Sequence, residues 1–144
     1  MTNTEIAITR TFDATPEQVF AAWTDPAQYG SWFSAGQGPS EEGTSIDLRV
    51  GGAWQNTMLL DPDKGLTKRF WGEYLEIDPP KRLVLTFTDD PDGHAIVTVD
   101  LAELPDGRTE MTFTQVGPLP ADQVDAATQG WKNFFEQLAG LIAN

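Results

Sequence analysis

DQVDAATQGWKNFFEQLAGLIA, residues 122–143, is the stretch that decides the fold. Val124, Ala127, Trp131, Phe134/Phe135, Leu138 and Leu141/Ile142 recur every three or four positions, the period of a helix with one buried face. At 1.5 Å per residue such a helix is roughly 30 Å long, enough to cross a whole sheet. Pro118 and Pro120 cut it off from what precedes. Gly130 and Gly140 each weaken it by about 1 kcal/mol relative to Ala. Gly130 reads in two ways: close packing against a neighbour, or room for something else beneath the helix.

Upstream of this helix the pattern changes to short runs of β-branched and aromatic residues. They span Ile46–Val50, Ala53–Leu60, Lys68–Ile77, Leu83–Thr88, His94–Leu104 and Thr109–Val116. Every break between them holds Gly or Pro, the chemistry of tight turns. Short connections favour antiparallel neighbours, so these runs predict a meander. Further back, Glu5–Phe12 reads as a first strand. Thr15-Pro16-Glu17-Gln18 follows it with a capping-box helix start, and Asp25-Pro26-Ala27-Gln28 repeats the signal at once. Two short helices are expected there, one burying Val19, Phe20 and Trp23, the next carrying Tyr29, Trp32 and Phe33. Ser34–Thr44 is loop-like in composition and longer than most connections, which fits a gate over a site. The expected architecture is α+β: a curved antiparallel sheet of about six to seven strands under one long amphipathic helix.

Composition narrows the function. There is no cysteine, which removes disulfides, thiol catalysis and Cys-based zinc sites. Nine Lys+Arg against 22 Asp+Glu leave a net charge of −13. That balance argues against phosphate-backbone binding, so no nucleic-acid partner is expected, and against anionic membrane surfaces. No window approaches a membrane-spanning apolar run, and the first residues carry neither a basic patch nor an apolar stretch. A cytoplasmic protein of one domain, residues 1–144, is expected. Five Trp and eight Phe argue for an ordered core despite the acidity.

Several segments resemble the START-like (SRPBCC) superfamily and its helix-grip fold. Within it, the resemblance is to the family named after the activator of the heat-shock-protein-90 ATPase (AHSA-type). The matching residues are ITRTFDATPEQVFAAWTDP at 8–26, Trp32-Phe33, VGGAW at 50–54, GEYLEIDPPKRL at 72–83, Gly130-Trp131, and Leu138 with Leu141. They cover nearly the whole chain in order. The resemblance implies a cavity between the last helix and the concave sheet face. It specifies fold more sharply than function, because the superfamily's members bind or transform very different molecules.

The candidate lining of that cavity is Trp32, Trp54, Met58, Trp71, Phe87, Met111, Phe113, Trp131 and Phe135. Each ring can fill a core or wall a pocket; together they suit an aromatic-rich interior. On the strand Lys68–Ile77, the apolar count favours Trp71, Glu73, Leu75 and Ile77 as the inward face. Glu73 then points at the cavity, where desolvation raises a carboxyl pKa and suits acid–base work. The alternative leaves Glu73 solvated at the rim or paired with Arg69 or Lys68. His94 is the only histidine. It sits at a turn, with no partner at metal-ligand spacing, so no metal and no cofactor is expected. The first function reading is binding of a small hydrophobic or aromatic molecule, lipid-like or polyketide-like. A cyclase- or hydrolase-type enzyme using Glu73, Tyr74 and Asn56 is one alternative. The other is a co-chaperone, whose partner is a chaperone surface. A monomer or a homodimer fits either.

Overall fold

The computed structural model describes residues 4–33, 39–61, 63–90 and 93–142. Strand β1 (Thr4–Phe12) buries Ile6, Ile8 and Phe12 and leaves Glu5, Ala7, Thr9 and Thr11 exposed. Alternation at period two puts one apolar edge of the ribbon on the core. Helix α1 (Pro16–Thr24) opens on a reciprocal cap. The Gln18 amide N–H donates to Thr15 Oγ1 at 3.2 Å, and the Thr15 N–H donates to Gln18 Oε1 at 2.8 Å. Asp25 ends α1 and caps helix α2 (Pro26–Trp32), accepting the Ala27 N–H at 3.2 Å. One residue thus serves two helix ends, each of which needs its free backbone groups satisfied. The Trp32 indole N–H donates to the Ala22 carbonyl at 2.8 Å and locks the pair.

Strands β2 (Pro39–Ile46), β3 (Ala53–Asp61), β4 (Leu66–Asp78), β5 (Arg82–Asp90), β6 (Gly93–Glu103) and β7 (Thr109–Gly117) run as the antiparallel meander the turn chemistry predicts. Strand β1 then pairs with β7, from Thr4↔Gly117 to Phe12↔Thr109, so the sheet order is β1-β7-β6-β5-β4-β3-β2. Thr109 Oγ1 fixes the corner by donating to the Ala14 carbonyl at 2.8 Å. Helix α3 (Val124–Ile142) lies across the concave face and buries Trp131, Phe135, Leu138 and Ile142. It is tied to the neighbouring strands β7 and β1. Trp131 Nε1 donates to Gln115 Oε1 of β7 at 2.8 Å, and Arg10 of β1 donates to Glu136 Oε1 at 2.6 Å. The architecture is α+β and of the helix-grip kind. Among the described residues no helix is long and apolar enough to cross a membrane.

Two expectations need correction. The strand read at Ile46–Val50 lies earlier, at Pro39–Ile46, inside the stretch read as a loop. Thr44, Ser45 and Ile46 pair with Asn56, Gln55 and Trp54 of β3. Leu48 and Val50, whose apolar spacing suggested the strand, are 44% and 66% exposed in the turn that follows. That turn reverses at Gly51, in the left-handed region at φ 84°, where a side chain is strained. An edge strand needs only backbone pairing, so polar Ser-Glu-Glu-Gly-Thr can serve. The gate reading of the loop falls partly on residues 34–38, outside the described residues.

The second correction concerns β4. Phe70, Gly72 and Tyr74 face the core, while Trp71, Glu73 and Leu75 face outward. Pairing with β5 slips between Tyr74 and Glu76, so Ile77 returns to the inner side opposite Leu83. A bulge flips the parity of every residue beyond it. The apolar count that placed Trp71 and Glu73 inward had summed across this bulge.

Candidate ligand-binding site

The interior beneath α3 is built from rings. Phe33, the residue that caps the C-terminal end of α2, sits at its centre. Its ring stacks on Trp131 (5.6 Å between centroids, 15° between planes) and on Tyr29 (5.2 Å, 23°). Phe70, Phe87 and Phe134 meet it edge-on at 5.1, 5.9 and 4.8 Å. Edge-to-face and offset contacts of this length are favourable geometry for aromatic quadrupoles. Phe33 is fully buried, but Phe70, Phe87 and Phe134 are only half-buried. They form an aromatic rim, the mouth, around it. The Lys68 ammonium stands 5.8 Å over the Phe70 ring at this rim.

Each element reaches the site for a local reason. Asn56 of β3 donates from Nδ2 to the Phe33 carbonyl at 2.8 Å and accepts from Thr44 Oγ1 at 2.7 Å. This buried amide therefore fixes where α2 ends and where Phe33 points. Gly30 lets α2 come so near; a Cβ there would run into the Thr44 hydroxyl. On the sheet, the Trp54 indole crosses β4 at Gly72 and donates to the Thr86 carbonyl at 3.1 Å. A Cβ on Gly72 would collide with both groups. On α3, Gly130 lies one turn before Phe134, and a Cβ there would meet nothing within 4 Å among the described residues. Close packing against a described neighbour is therefore not what Gly130 serves.

The sequence candidates divide accordingly. Trp32, Trp54, Met58, Phe87, Met111, Phe113, Trp131 and Phe135 lie in the interior, with Phe87 and Trp131 against Phe33 and the others deeper or alongside. Trp71 is on the outer sheet face, with the Arg69 guanidinium 5.1 Å over its ring. Glu73 is exposed on that same face, and with it goes the general base the catalytic alternative required. Asn56 spends its amide on α2, as described. Tyr74 is buried among the inner residues. Burial pushes the phenol of Tyr74 well above its ordinary range; burial first, then neighbouring Tyr74, does the same to Tyr29. Both phenols therefore stay neutral through the physiological range and do not serve as bases. Among the described residues no cluster of His, Asp or Glu could hold a metal ion.

Phe33, Phe70, Phe134 and Tyr29 are the residues of this site that the sequence reading left out of its candidate set. Phe134 carried a usable signal, since it sits one helical turn from both Trp131 and Leu138. Phe70 carried none once the bulge was overlooked.

A curved antiparallel sheet gripping a long helix defines the helix-grip class of START-like domains. The chain belongs to the Activator of Hsp90 ATPase homolog 1-like family, whose model matches residues 13–143. Protein CV1439 from Chromobacterium violaceum is a similar solved structure, with 31% identity over 97% of this chain and 98% of that one and a TM-score of 0.82. A protein of unknown function from Staphylococcus aureus, SA2116, has the same fold at 19% identity, covering 98% of this chain and 94% of its own, with a TM-score of 0.85. CalU16 from Micromonospora echinospora shares the fold at 22% identity over 96% of this chain and 75% of that one, with a TM-score of 0.70. No curated protein matches the sequence.

Proposed function

We propose that this protein binds a small hydrophobic or aromatic molecule, lipid-like or polyketide-like, between α3 and the sheet, in the slot that Phe33 holds. One observation carries the reading: a planar side chain lies stacked between neighbouring rings, surrounded by Phe70, Phe87 and Phe134, which are only partly buried. Exposed aromatic surface contributes nothing to folding, and covering it is worth about 25 cal/mol per Å². A guest lodged at the mouth against Phe70, Phe87 and Phe134 gains that burial; one that displaces Phe33 also inherits its stacking partners, at the cost of exposing that ring. Pockets for small molecules are commonly apolar and aromatic with a few polar groups for orientation.

Trp131 and Trp54 stand beside the slot, so their emission reports occupancy. Titration with a panel of fatty acids and polycyclic aromatics is expected to give saturable changes in tryptophan fluorescence. Native mass spectrometry of the same sample should show the protein plus one guest. A flat response across the panel, with only bare-chain masses, removes the reading.

A further inference from the structure

A positive charge stands at the rim of the mouth. Lys68 lies two residues before Phe70 on β4, and alternation along a strand puts both side chains on one face. Strand pairing shows that this is the inner face: Lys68 is opposite Met58 of β3, a core residue 5% exposed. Lys68 is itself half-buried, and its ammonium stands 5.8 Å over the Phe70 ring. A lysine so placed lays its apolar stem along the wall and keeps its charged head at the water boundary. Phe70 in turn touches Phe33 and Phe87, at 5.1 and 5.2 Å between centroids. The charge therefore borders the same rings that the proposed guest covers.

Other cations of the chain are placed differently. Arg10, Arg49, Arg82 and Arg108 each sit against a carboxylate. Arg69 lies on the outer sheet face over Trp71, and Lys132 lines the groove between α3 and β1. Among the described residues, Lys68 is the one cation that stands over a ring of the mouth. The chain as a whole carries −13, which opposes an approaching anion. At physiological ionic strength distant charges are screened over about 8 Å, so a group touching the ammonium feels Lys68 first. A carboxylate about 2.8 Å from that nitrogen is no more than ~9 Å from the centre of the Phe70 ring. A short alkyl chain covers that span and leaves an apolar body lying on the rings. Apolar pockets use a few placed polar groups to fix a ligand's orientation, and a charged side chain is one kind.

We infer that the mouth takes amphiphilic carboxylates, with an apolar or aromatic body against Phe70, Phe87 and Phe134 and the carboxylate received by the Lys68 ammonium. The inference rests on the proposed ligand-binding function and adds the chemical class and the orientation of the guest. Lys68 is then a specificity determinant, because a charge-assisted contact favours an ionised head over a neutral one on the same body.

The test is a matched set of probes: 1-pyrenebutyrate, 1-pyrenebutanol and the corresponding pyrenylbutyl trimethylammonium. They share ring and linker and differ in the charge of the head. Energy transfer from tryptophan to pyrene, titrated on the full chain at low salt, should show the carboxylate binding ~5-fold tighter than the alcohol, with the cation weakest. Added salt should shrink that preference. Lys68→Met keeps the stem and removes the charge, and should bring the two affinities level; Lys68→Arg should keep the preference. Equal affinity of the wild-type chain for carboxylate and alcohol, or tighter binding of the cation, overturns the inference and leaves the ligand-binding function standing. A carboxylate preference that survives Lys68→Met also overturns it, because another group then receives the head. Binding of none of the probes overturns both.

Discussion

Phe134 and Phe135 are adjacent in sequence and face different flanks of α3. Phe134 belongs to the mouth, among half-buried rings around Phe33. Phe135 is fully buried and floors the opposite flank, a groove of ≈ 320 Å³ between α3 and β1 lined by Ile8, Thr9, Arg10, Gln129, Lys132, Asn133 and Glu136. That groove is bridged by the Arg10–Glu136 ion pair, and its apolar floor, Ile8 and Phe135, is buried. The mouth is held by ring contacts and left without a bridging pair in what is described of it. One flank anchors the helix, fastened at β1 and β7; the other meets the half-buried rings Phe70 and Phe87.

The sharpest way to break this contrast is Phe33→Ala. Emptying a fully buried ring position is expected to cost about 3–5 kcal/mol in denaturant unfolding. A saturating aromatic probe should restore part of that loss. A cost below about 1 kcal/mol, within the range of a surface change, would show that Phe33 does not fill the slot. Next in size is a pair of glycines treated identically. Gly72→Ala pushes a methyl into the Thr86 carbonyl and the Trp54 indole, and overpacking of that kind costs about 1–3 kcal/mol. Gly130→Ala meets open space on a helix and is expected to stabilise by about 1 kcal/mol. Equal signs from the two, measured by thermal or urea unfolding, would contradict the placement of one of them. The smallest effect belongs to the anchored flank. Glu136→Gln removes a pair whose Glu is largely exposed, so a loss under about 1 kcal/mol is expected, shrinking further with added salt. Probe affinity should not change, since the groove is not the slot.

Much of the fold was legible because its signals are local. The capping residues Thr15 and Gln18, the shared Asp25, the turn glycines and prolines, and the helical period from Val124 to Ile142 all act within a few residues of themselves. The site was only half legible. Trp54, Phe87 and Trp131 were placed in the interior, whereas Trp71 and Glu73 were assigned to the wrong face of β4. A single slip of register between Tyr74 and Glu76 accounts for that error. The polar edge strand from Pro39 was missed because its partner, β3, supplies the pairing that its own composition does not suggest.

The amino-acid sequence by itself determined the element order, the α+β class, the family resemblance and the stock of aromatic side chains available to an interior. Tertiary structure alone decided that β1 closes on β7, that Phe33 lies stacked between Tyr29 and Trp131, and that two of the interior donors have no partner among the described residues. The physical reason is range. Caps, turns and periodicity are written in neighbouring residues, but register and ring stacking join positions up to about a hundred residues apart, and a one-residue slip in a strand reverses every face beyond it.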